Sequence, residues 1–291
     1  MDAELSALLR SWEWRFVVIA FVGISSSVYI NGFTHIRTLR SRSTSRDVIG
    51  LVSYWRLLSY LSGLLCIILA LLSPVEVLAG QLFFMHMIQH MLLVMCAPPL
   101  LLASNPFPIL LWGLPEKVRD VVAGLFVGRS LLRKLLRRHA GAGASWIMFV
   151  IVYIGWHDPM LYEAALRSKF VHDIEHISFF LVSMLFWWHV TSAAPRVHQK
   201  LTYGRRIAYL LVTVPVNMIT GVIITFSRQP IYEYYEQKQR PWSLTVMQDQ
   251  MLGGIIMWIP GSMMLIVAII VLIVRMMASE ERNTSPRLNS I

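Results

Sequence analysis

Two pairs of histidines lie within stretches of apolar residues. His86 and His90 are four residues apart in residues 81–97, and His172 and His176 have the same spacing in a second apolar stretch. In a helix, residues i and i+4 share a face with Cβ atoms about 6 Å apart, so each pair can direct two imidazoles at one point. Ionisable side chains inside a membrane are costly and mark functional sites facing protein or water. The pairs therefore predict a buried polar site.

Imidazole is a common ligand of copper, zinc, iron and nickel, and thioether favours Cu(I). Three methionines, Met87, Met91 and Met95, repeat every four residues beside the first histidine pair. Methionine is also a flexible filler of apolar cores, and membrane histidines can simply hydrogen-bond neighbouring helices. A metal or cofactor is the favoured interpretation of the two histidine pairs, whereas core packing is favoured for any single methionine.

The composition indicates a polytopic membrane protein. Of the 291 residues, 56% are hydrophobic and 14% charged, against about 45–50% and about 25% in soluble domains. The net charge of +10 comes without a nucleic-acid-binding motif, and basic residues beside membrane spans follow from the positive-inside rule. Cys66 and Cys96 form no CxxC motif, so neither a disulfide scaffold nor a zinc ribbon is indicated.

We predict an all-α fold with seven transmembrane helices. A spanning helix needs roughly 20 mostly apolar residues. Residues 1–280 are expected to form a single membrane domain, and residues 281–291 a flexible cytoplasmic tail. The seven candidate stretches, of which the fourth is short, are about 13–33, 54–73, 79–103, 144–158, 169–192, 206–227 and 249–276.

The basic residues fall on alternate connections. The connections at 73–80 and 157–170 carry no excess of positive charge. This asymmetry predicts the N-terminus outside and the C-terminus inside. The basic connections and tail hold Arg37, Arg40, Arg42, Arg46, Lys117, Arg119, Arg129, Arg133, Lys134, Arg137, Arg138, Arg196, Lys200, Arg205, Arg206, Arg282 and Arg287.

The long inner connection has two parts. The three prolines in residues 105–115 argue against a continuous helix there. Residues of about 114–140 repeat apolar side chains at helical spacing with basic residues between them. That pattern predicts an amphipathic helix on the anionic inner leaflet, with a partner-docking surface as the alternative.

The predicted orientation gathers five histidines near the outer face. His157 ends the fourth helix there, and Asp249 opens the seventh. The carboxylates of Asp173, Glu175 and Asp249 could fix imidazole tautomers, although Glu175 could equally pair near the helix start. Trp187, Trp188, Tyr232, Tyr234 and Tyr235 fit interfacial aromatic belts. The candidate metal site is His86, His90, His172 and His176, with His157 and Asp249 as supporting or access groups.

Several other functions lack their motifs. HExxH is absent, which argues against a metalloprotease, and the seventh helix has no lysine for a retinal Schiff base before Arg275. Three alternatives remain open. One is a bis-histidine haem between the third and fifth helices, another is a di-iron redox protein, and the third is a metal-free structural scaffold.

Four blocks, in this order, resemble one known family: HMIQHMLLVMCAPPLLL, GWHDPMLYEAAL, VHDIEHISFFLVSMLFWWHV and DQMLGGIIMWIPG. They are similar to the seven-helix, CtaG-type cytochrome c oxidase assembly factors of bacteria, over roughly residues 50–276. The resemblance implies a role in maturing haem–copper oxidases, with copper handled for the oxidase. The matching polar positions are His86, His90, His157, His172, Glu175, His176 and Asp249.

The expected protein is thus a multi-pass assembly factor of the bacterial cytoplasmic membrane that binds or delivers copper and is not an enzyme. Its expected partners are a cytochrome c oxidase subunit and membrane lipid, with no nucleic acid. A homo-oligomer stays open.

Overall fold

The computed structural model describes residues 10–40, 52–128, 130–238 and 241–288, and contains no strand within those ranges. The predicted all-α class is confirmed. Arg42, Arg46 and Arg129 of the basic connections lie outside the described residues. In chain order the α-helices are α1 (Phe16–Arg40), α2 (Tyr54–Leu71), α3 (Pro74–Ala79), α4 (Phe83–Met91), α5 (Ala97–Ala103), α6 (Pro106–Gly113), α7 (Glu116–Leu125), α8 (Leu131–His139), α9 (Ala142–His157), α10 (Pro159–Arg167), α11 (Lys169–Thr191), α12 (Tyr203–Phe226) and α13 (Val246–Leu288).

Six segments of the described chain are long and apolar enough to cross a membrane. They are Phe16–Leu39, Tyr54–Leu71, Phe83–Ala103, Lys169–Thr191, Tyr203–Phe226 and Val246–Arg282. The remaining predicted span corresponds to α9, which meets α8 at a bend of 74° and makes a seventh if the pair is counted as one span. The multi-pass architecture is therefore confirmed. The orientation of the termini and the boundary at residue 280 stay predictions, and α13 continues to Leu288.

The third span changes helix type along its length. A π-helical turn, Leu92–Cys96, separates α4 from α5, and two prolines follow it. Pro98 has no N–H to give to the carbonyl of Val94. The indole Nε1–H of Trp187 donates to that carbonyl instead, at 3.0 Å. A backbone group freed inside the bundle is thus satisfied by α11, which ties the two histidine-bearing spans together.

In the long connection one prediction is confirmed and another needs correction. Residues 105–115 are not one continuous helix, because α6 covers only Pro106–Gly113 and Leu114 is extended before Pro115. Pro106 and Pro108 lie in the first turn of α6, where a missing N–H leaves no hydrogen bond unmade. The amphipathic segment is two helices, α7 and α8, rather than one. Ser130 ends the intervening turn and caps α8 by accepting from the N–H of Arg133.

Helix α6 lies against α1 at very close range through two glycines. A Cβ added to Gly32 would lie 1.8 Å from the carbonyl oxygen of Ile109, and one added to Gly113 would lie 1.8 Å from that of Val28. This crossed pattern means that α6 runs antiparallel to α1. Only glycine permits such backbone contact.

Candidate metal centre

The two predicted histidine pairs converge. His86 and His90 lie on α4, His172 and His176 on α11, and their rings face one another across the helix interface. The ring centroid of His86 lies 5.2 Å from that of His172 and 6.0 Å from that of His176. The ring centroids of His90 and His176 are 5.6 Å apart. One ion could therefore be reached from both helices.

A carboxylate completes the group. His86, His172, Glu175 and His176 each offer one ligand atom, and these atoms all lie within 4.8 Å of one another. We call these four residues the His–Glu cluster. Glu175 is fully buried, and a carboxylate Oε2 of this residue lies 3.7 Å from His86 Nε2. Glu175 was expected only as a group that fixes tautomers or pairs near the helix start, whereas its position is within reach of the ion itself.

Buried atoms of three cluster residues, His86, Glu175 and His176, lack hydrogen bonds. Buried atoms without a partner are His86 Nε2, both carboxylate oxygens of Glu175 and both ring nitrogens of His176. Buried polar groups in proteins are nearly always hydrogen-bonded, and each exception calls for an explanation such as an ion. Neutral imidazole nitrogens and carboxylate oxygens are the donors that a divalent transition metal prefers. The residues present therefore fit a metal ion.

Two of the predicted histidines lie beside the cluster rather than in it. His90 Nε2 is 3.5 Å from Glu175 Oε1, and both of its ring nitrogens lack a hydrogen-bond partner. His157 is one ring further away, with its centroid 6.2 Å from that of His90. Its Nδ1 contacts the carbonyl of Tyr153 at 2.6 Å and must carry the proton, because a carbonyl only accepts.

Asp249 stands apart from the histidines. Its carboxylate accepts the backbone N–H of Phe83 at 2.9 Å and of Phe84 at 3.0 Å. These are the first N–H groups of α4, whose own N-cap residue Leu82 makes no side-chain bond. Asp249 thus caps the histidine-bearing helix from α13, and its negative charge matches the helix dipole there.

A chain of hydroxyl groups fixes the tautomer of His86. Tyr235 lies within 3.0 Å of the carbonyl of Ala79 and donates its single proton to it. Its oxygen can then only accept, from Tyr162 at 3.1 Å and from His86 Nδ1 at 3.2 Å, and the oxygen of Tyr162, whose proton goes to Tyr235, accepts from His86 Nδ1 at 2.8 Å. Burial raises the pKa of both tyrosines well above the ordinary range, so both keep their protons. The proton of His86 is therefore on Nδ1, and Nε2 presents a lone pair to the cluster.

Comparison with known proteins identifies the family. The family described as cytochrome c oxidase caa3 assembly factor (Caa3_CtaG) matches residues 28–279. The chain belongs to this family. All residues of the His–Glu cluster and of the Tyr162–Tyr235 chain lie within the matched region.

More distant similarity extends to mycobacterial proteins that carry no functional name. The chain is 26% identical over 280 residues to the uncharacterized protein ML1998 of Mycobacterium leprae, covering 92% of this chain and 40% of that protein. It is 28% identical over 281 residues to the uncharacterized protein Mb0105 of Mycobacterium bovis, covering 94% and 40%. The chain therefore spans about two fifths of the length of these relatives. No solved structure matches it.

Several residues of this Caa3_CtaG member were misjudged or missed at the sequence level. Trp187, Tyr232 and Tyr235 were expected in interfacial belts, but each is only 2% exposed. Tyr232 and Tyr235 lie instead in and beside a 3₁₀ turn, Glu233–Gln237, that packs onto the cluster. Tyr162 was quoted only as part of a family block, and no local signal distinguishes a tyrosine that will reach a histidine 76 residues away.

A charged vestibule adjoins the cluster. This cavity, of about 210 Å³, is lined by Glu13, Arg15, Glu76, Lys169 and His172, among others. Within it Arg15 forms ion pairs with Glu76 and, at 2.6 Å, with Asp173. Glu76 lies in α3, outside the spans; burial raises its pKa to about 7, and the charge of Arg15 opposes that rise. His172 lies on both the vestibule and the cluster, so the cavity offers a path from the bundle end to the metal ligands.

Proposed function

We propose that this Caa3_CtaG family protein holds a copper ion at the His–Glu cluster and supplies it to a haem–copper oxidase during assembly. The single observation that carries the proposal is the His–Glu cluster itself, whose four ligand atoms lie within 4.8 Å of one another and whose buried atoms on His86, Glu175 and His176 lack hydrogen-bond partners. Each such group left unpaired costs about 1–3 kcal/mol. An ion bound through one atom of each residue would remove that cost for the atoms that ligate it.

Copper is proposed ahead of other metals because of the donors and the family together. Imidazole nitrogen suits copper, zinc, iron and nickel alike, so the donor set alone selects no single metal. The family is described as an assembly factor of a cytochrome c oxidase, which is a haem–copper enzyme. Copper would therefore be cargo for the oxidase rather than a resident cofactor of this protein. The residues of the cluster would bind it, the Tyr162–Tyr235 chain would orient His86, and the vestibule would admit it through His172.

The predicted orientation makes the vestibule external. Glu13, Glu76 and Lys169 all belong to segments that the positive-inside rule assigns to the outer side. Reporter fusions at Arg42, at Arg137 and after α13 should then read cytoplasmic, in a bacterial cytoplasmic membrane. A fusion at Arg137 that reads external would place the cluster near the cytoplasmic face and contradict delivery from outside.

Metal binding is tested on the purified full chain in lipid nanodiscs. We expect one Cu(II) per chain with nitrogen hyperfine splitting in the electron paramagnetic resonance spectrum. His86→Ala and His176→Ala should each lose this signal, because ligands of one ion are strongly coupled. His139→Ala, at an exposed position on α8, is the matched control and should keep it. Full copper content in both cluster variants would contradict the proposal. A Soret band in the purified protein would identify a haem protein instead.

The assembly role is tested in cells. Deleting the gene should lower haem–copper oxidase activity while oxidase transcripts stay unchanged, and added copper should restore part of the activity. Complementation with the wild type or His139→Ala should restore it, and complementation with His176→Ala should not. Normal oxidase activity in the deletion strain, in the absence of a paralogue, would contradict this role.

A further inference from the structure

A second cavity lies beside the cluster and is lined by sulfur. It measures about 20 Å³, and its walls include Met87, Met91, Met95 and Met257, together with His90 and His157. Space of this size accommodates about one water molecule, and so a single ion. We call it the methionine cavity. The vestibule, by contrast, has an imidazole but no methionine among its lining residues.

The shape of the third span brings the methionines to this cavity. In an α-helix, a residue four positions on is rotated by about 40°, since each residue turns by about 100°. Over eight residues that drift would carry Met95 away from the face of Met87. The π-helical turn at Leu92–Cys96 is wider than an α-turn and offsets the drift. π-turns inside α-helices occur often at functional sites, and here the turn begins two residues after His90.

An unpartnered side chain points to a ligand here, independently of the sulfur atoms. His90 is 6% exposed, lines the cavity, and has no hydrogen bond at either Nδ1 or Nε2. Its Nε2 is near Glu175 of the cluster, at 3.5 Å. His90 therefore lies between the two sites. Across the cavity, His157 carries its proton on Nδ1, which leaves Nε2 as the nitrogen with a free lone pair.

We propose that the methionine cavity is a second metal site, selective for Cu(I), which would draw its ligands from Met91, Met95, Met257, His90 and His157. Thioether favours Cu(I) over harder cations, whereas the imidazoles of the His–Glu cluster suit copper and zinc alike. The inference rests on the proposed function in one respect, that copper is the cargo. It gives the ion a second position, about one to two helical turns further along the third span from His86.

The test compares Cu(I) and Zn²⁺ binding on the full chain in nanodiscs under anaerobic conditions. We expect the wild type to hold two Cu(I) per chain against a competing chelator. The triple variant M91L/M95L/M257L, which conserves volume, should hold one. Met87 is left in place because it packs at the closely approached Gly253. The matched control M218L/M263L/M277L changes three methionines that are 43–56% exposed, and should hold two.

Zn²⁺ separates the two proposals. The cluster should bind one Zn²⁺ in the wild type and in M91L/M95L/M257L, which also shows that the variant folds. A triple variant that still holds two Cu(I) would overturn the second site and leave the cluster intact. A wild type that binds neither Cu(I) nor Zn²⁺ would overturn the proposed function itself. X-ray absorption of the Cu(I)-loaded wild type provides a test without mutation, because sulfur in the copper shell is expected and its absence overturns the second site.

Discussion

The hydroxyl oxygen of Tyr162 lies 2.8 Å from Nδ1 of His86, and it joins a residue of α10 to one of α4. Because the hydroxyl chain ends on the carbonyl of Ala79, its direction has one solution. The imidazole is held with its lone pair toward Glu175 before any ion arrives. Metal-binding histidines commonly have such a partner on the far nitrogen, and it sets both orientation and basicity.

Tyr162→Phe is expected to weaken metal binding without abolishing it. The variant keeps the ring in the core but removes the nearer acceptor of the His86 Nδ1–H and leaves Tyr235, at 3.2 Å, as the other. The loss of such a partner weakens binding by about 10- to 100-fold, and the remaining contact with Tyr235 places the expected loss at the lower end of that range. Competition titration with Cu(II) measures the change. Tyr234→Phe is the matched control. Tyr234 lies in the same 3₁₀ turn as Tyr235 and has no described contact with His86, so this variant should bind Cu(II) with the affinity of the wild type. An unchanged affinity in Tyr162→Phe would show that the tautomer is set by other contacts.

Asp249→Asn should destabilise the protein while the cluster still binds one metal ion. The asparagine amide offers one oxygen where the carboxylate accepts from both Phe83 and Phe84, and loss of a cap costs about 1 kcal/mol. Thermal unfolding in detergent and Cu(II) content are measured together. Asp120→Asn, with a side chain 71% exposed, is the control and should change neither. If Asp249→Asn kept its melting temperature and lost its copper, Asp249 would be a ligand, as first considered from the sequence.

Gly32→Ala should separate α1 from α6. The added methyl would lie 1.8 Å from the carbonyl oxygen of Ile109, so one helix must move. Gly23→Ala provides a control on the same helix, because a Cβ there meets nothing within 4 Å. We expect a loss of several degrees in melting temperature for Gly32→Ala and none for Gly23→Ala. Equal melting temperatures in the two variants would mean that α1 and α6 do not pack as described.

The pH dependence of stability should carry a contribution from Glu76. Burial raises its pKa from the ordinary value of 4.5 to about 7. Between these values the unfolded chain has lost the proton that the folded protein retains, so this contribution to stability is complete below about pH 4.5 and is lost as the pH rises through 7. Glu76→Gln removes the titration. The melting temperature of the metal-free wild type, relative to that of Glu76→Gln, should fall over this range, and a relative rise would show that Arg15 dominates and keeps the carboxylate ionised.

The convergence of the two histidine pairs is the part of the site that could be predicted. The i, i+4 spacing sets a shared face on each helix, and burial in an apolar stretch requires that face to meet protein. Glu175 lies three residues after His172, a spacing that also shares a helix face, but the sequence interpretation gave it only a supporting role. Asp249 and His157 were predicted at the same end of the bundle as the histidine pairs, but an end is all that topology specifies. The groups that these two residues contact depend on side-chain directions, which the periodicity of a helix does not specify.

The sequence by itself determined the all-α class, the apolar segments and the presence of imidazoles at matching positions along two of them. These follow from local properties: the hydropathy of each residue and the period of the helix. Only the tertiary structure decided that α6 folds back against α1, that Asp249 caps α4, and that Tyr162 and Tyr235 orient His86. Each of these is a contact between residues far apart in the chain. A buried polar group costs free energy unless it finds a partner, and which partner is within reach depends on the surrounding tertiary structure.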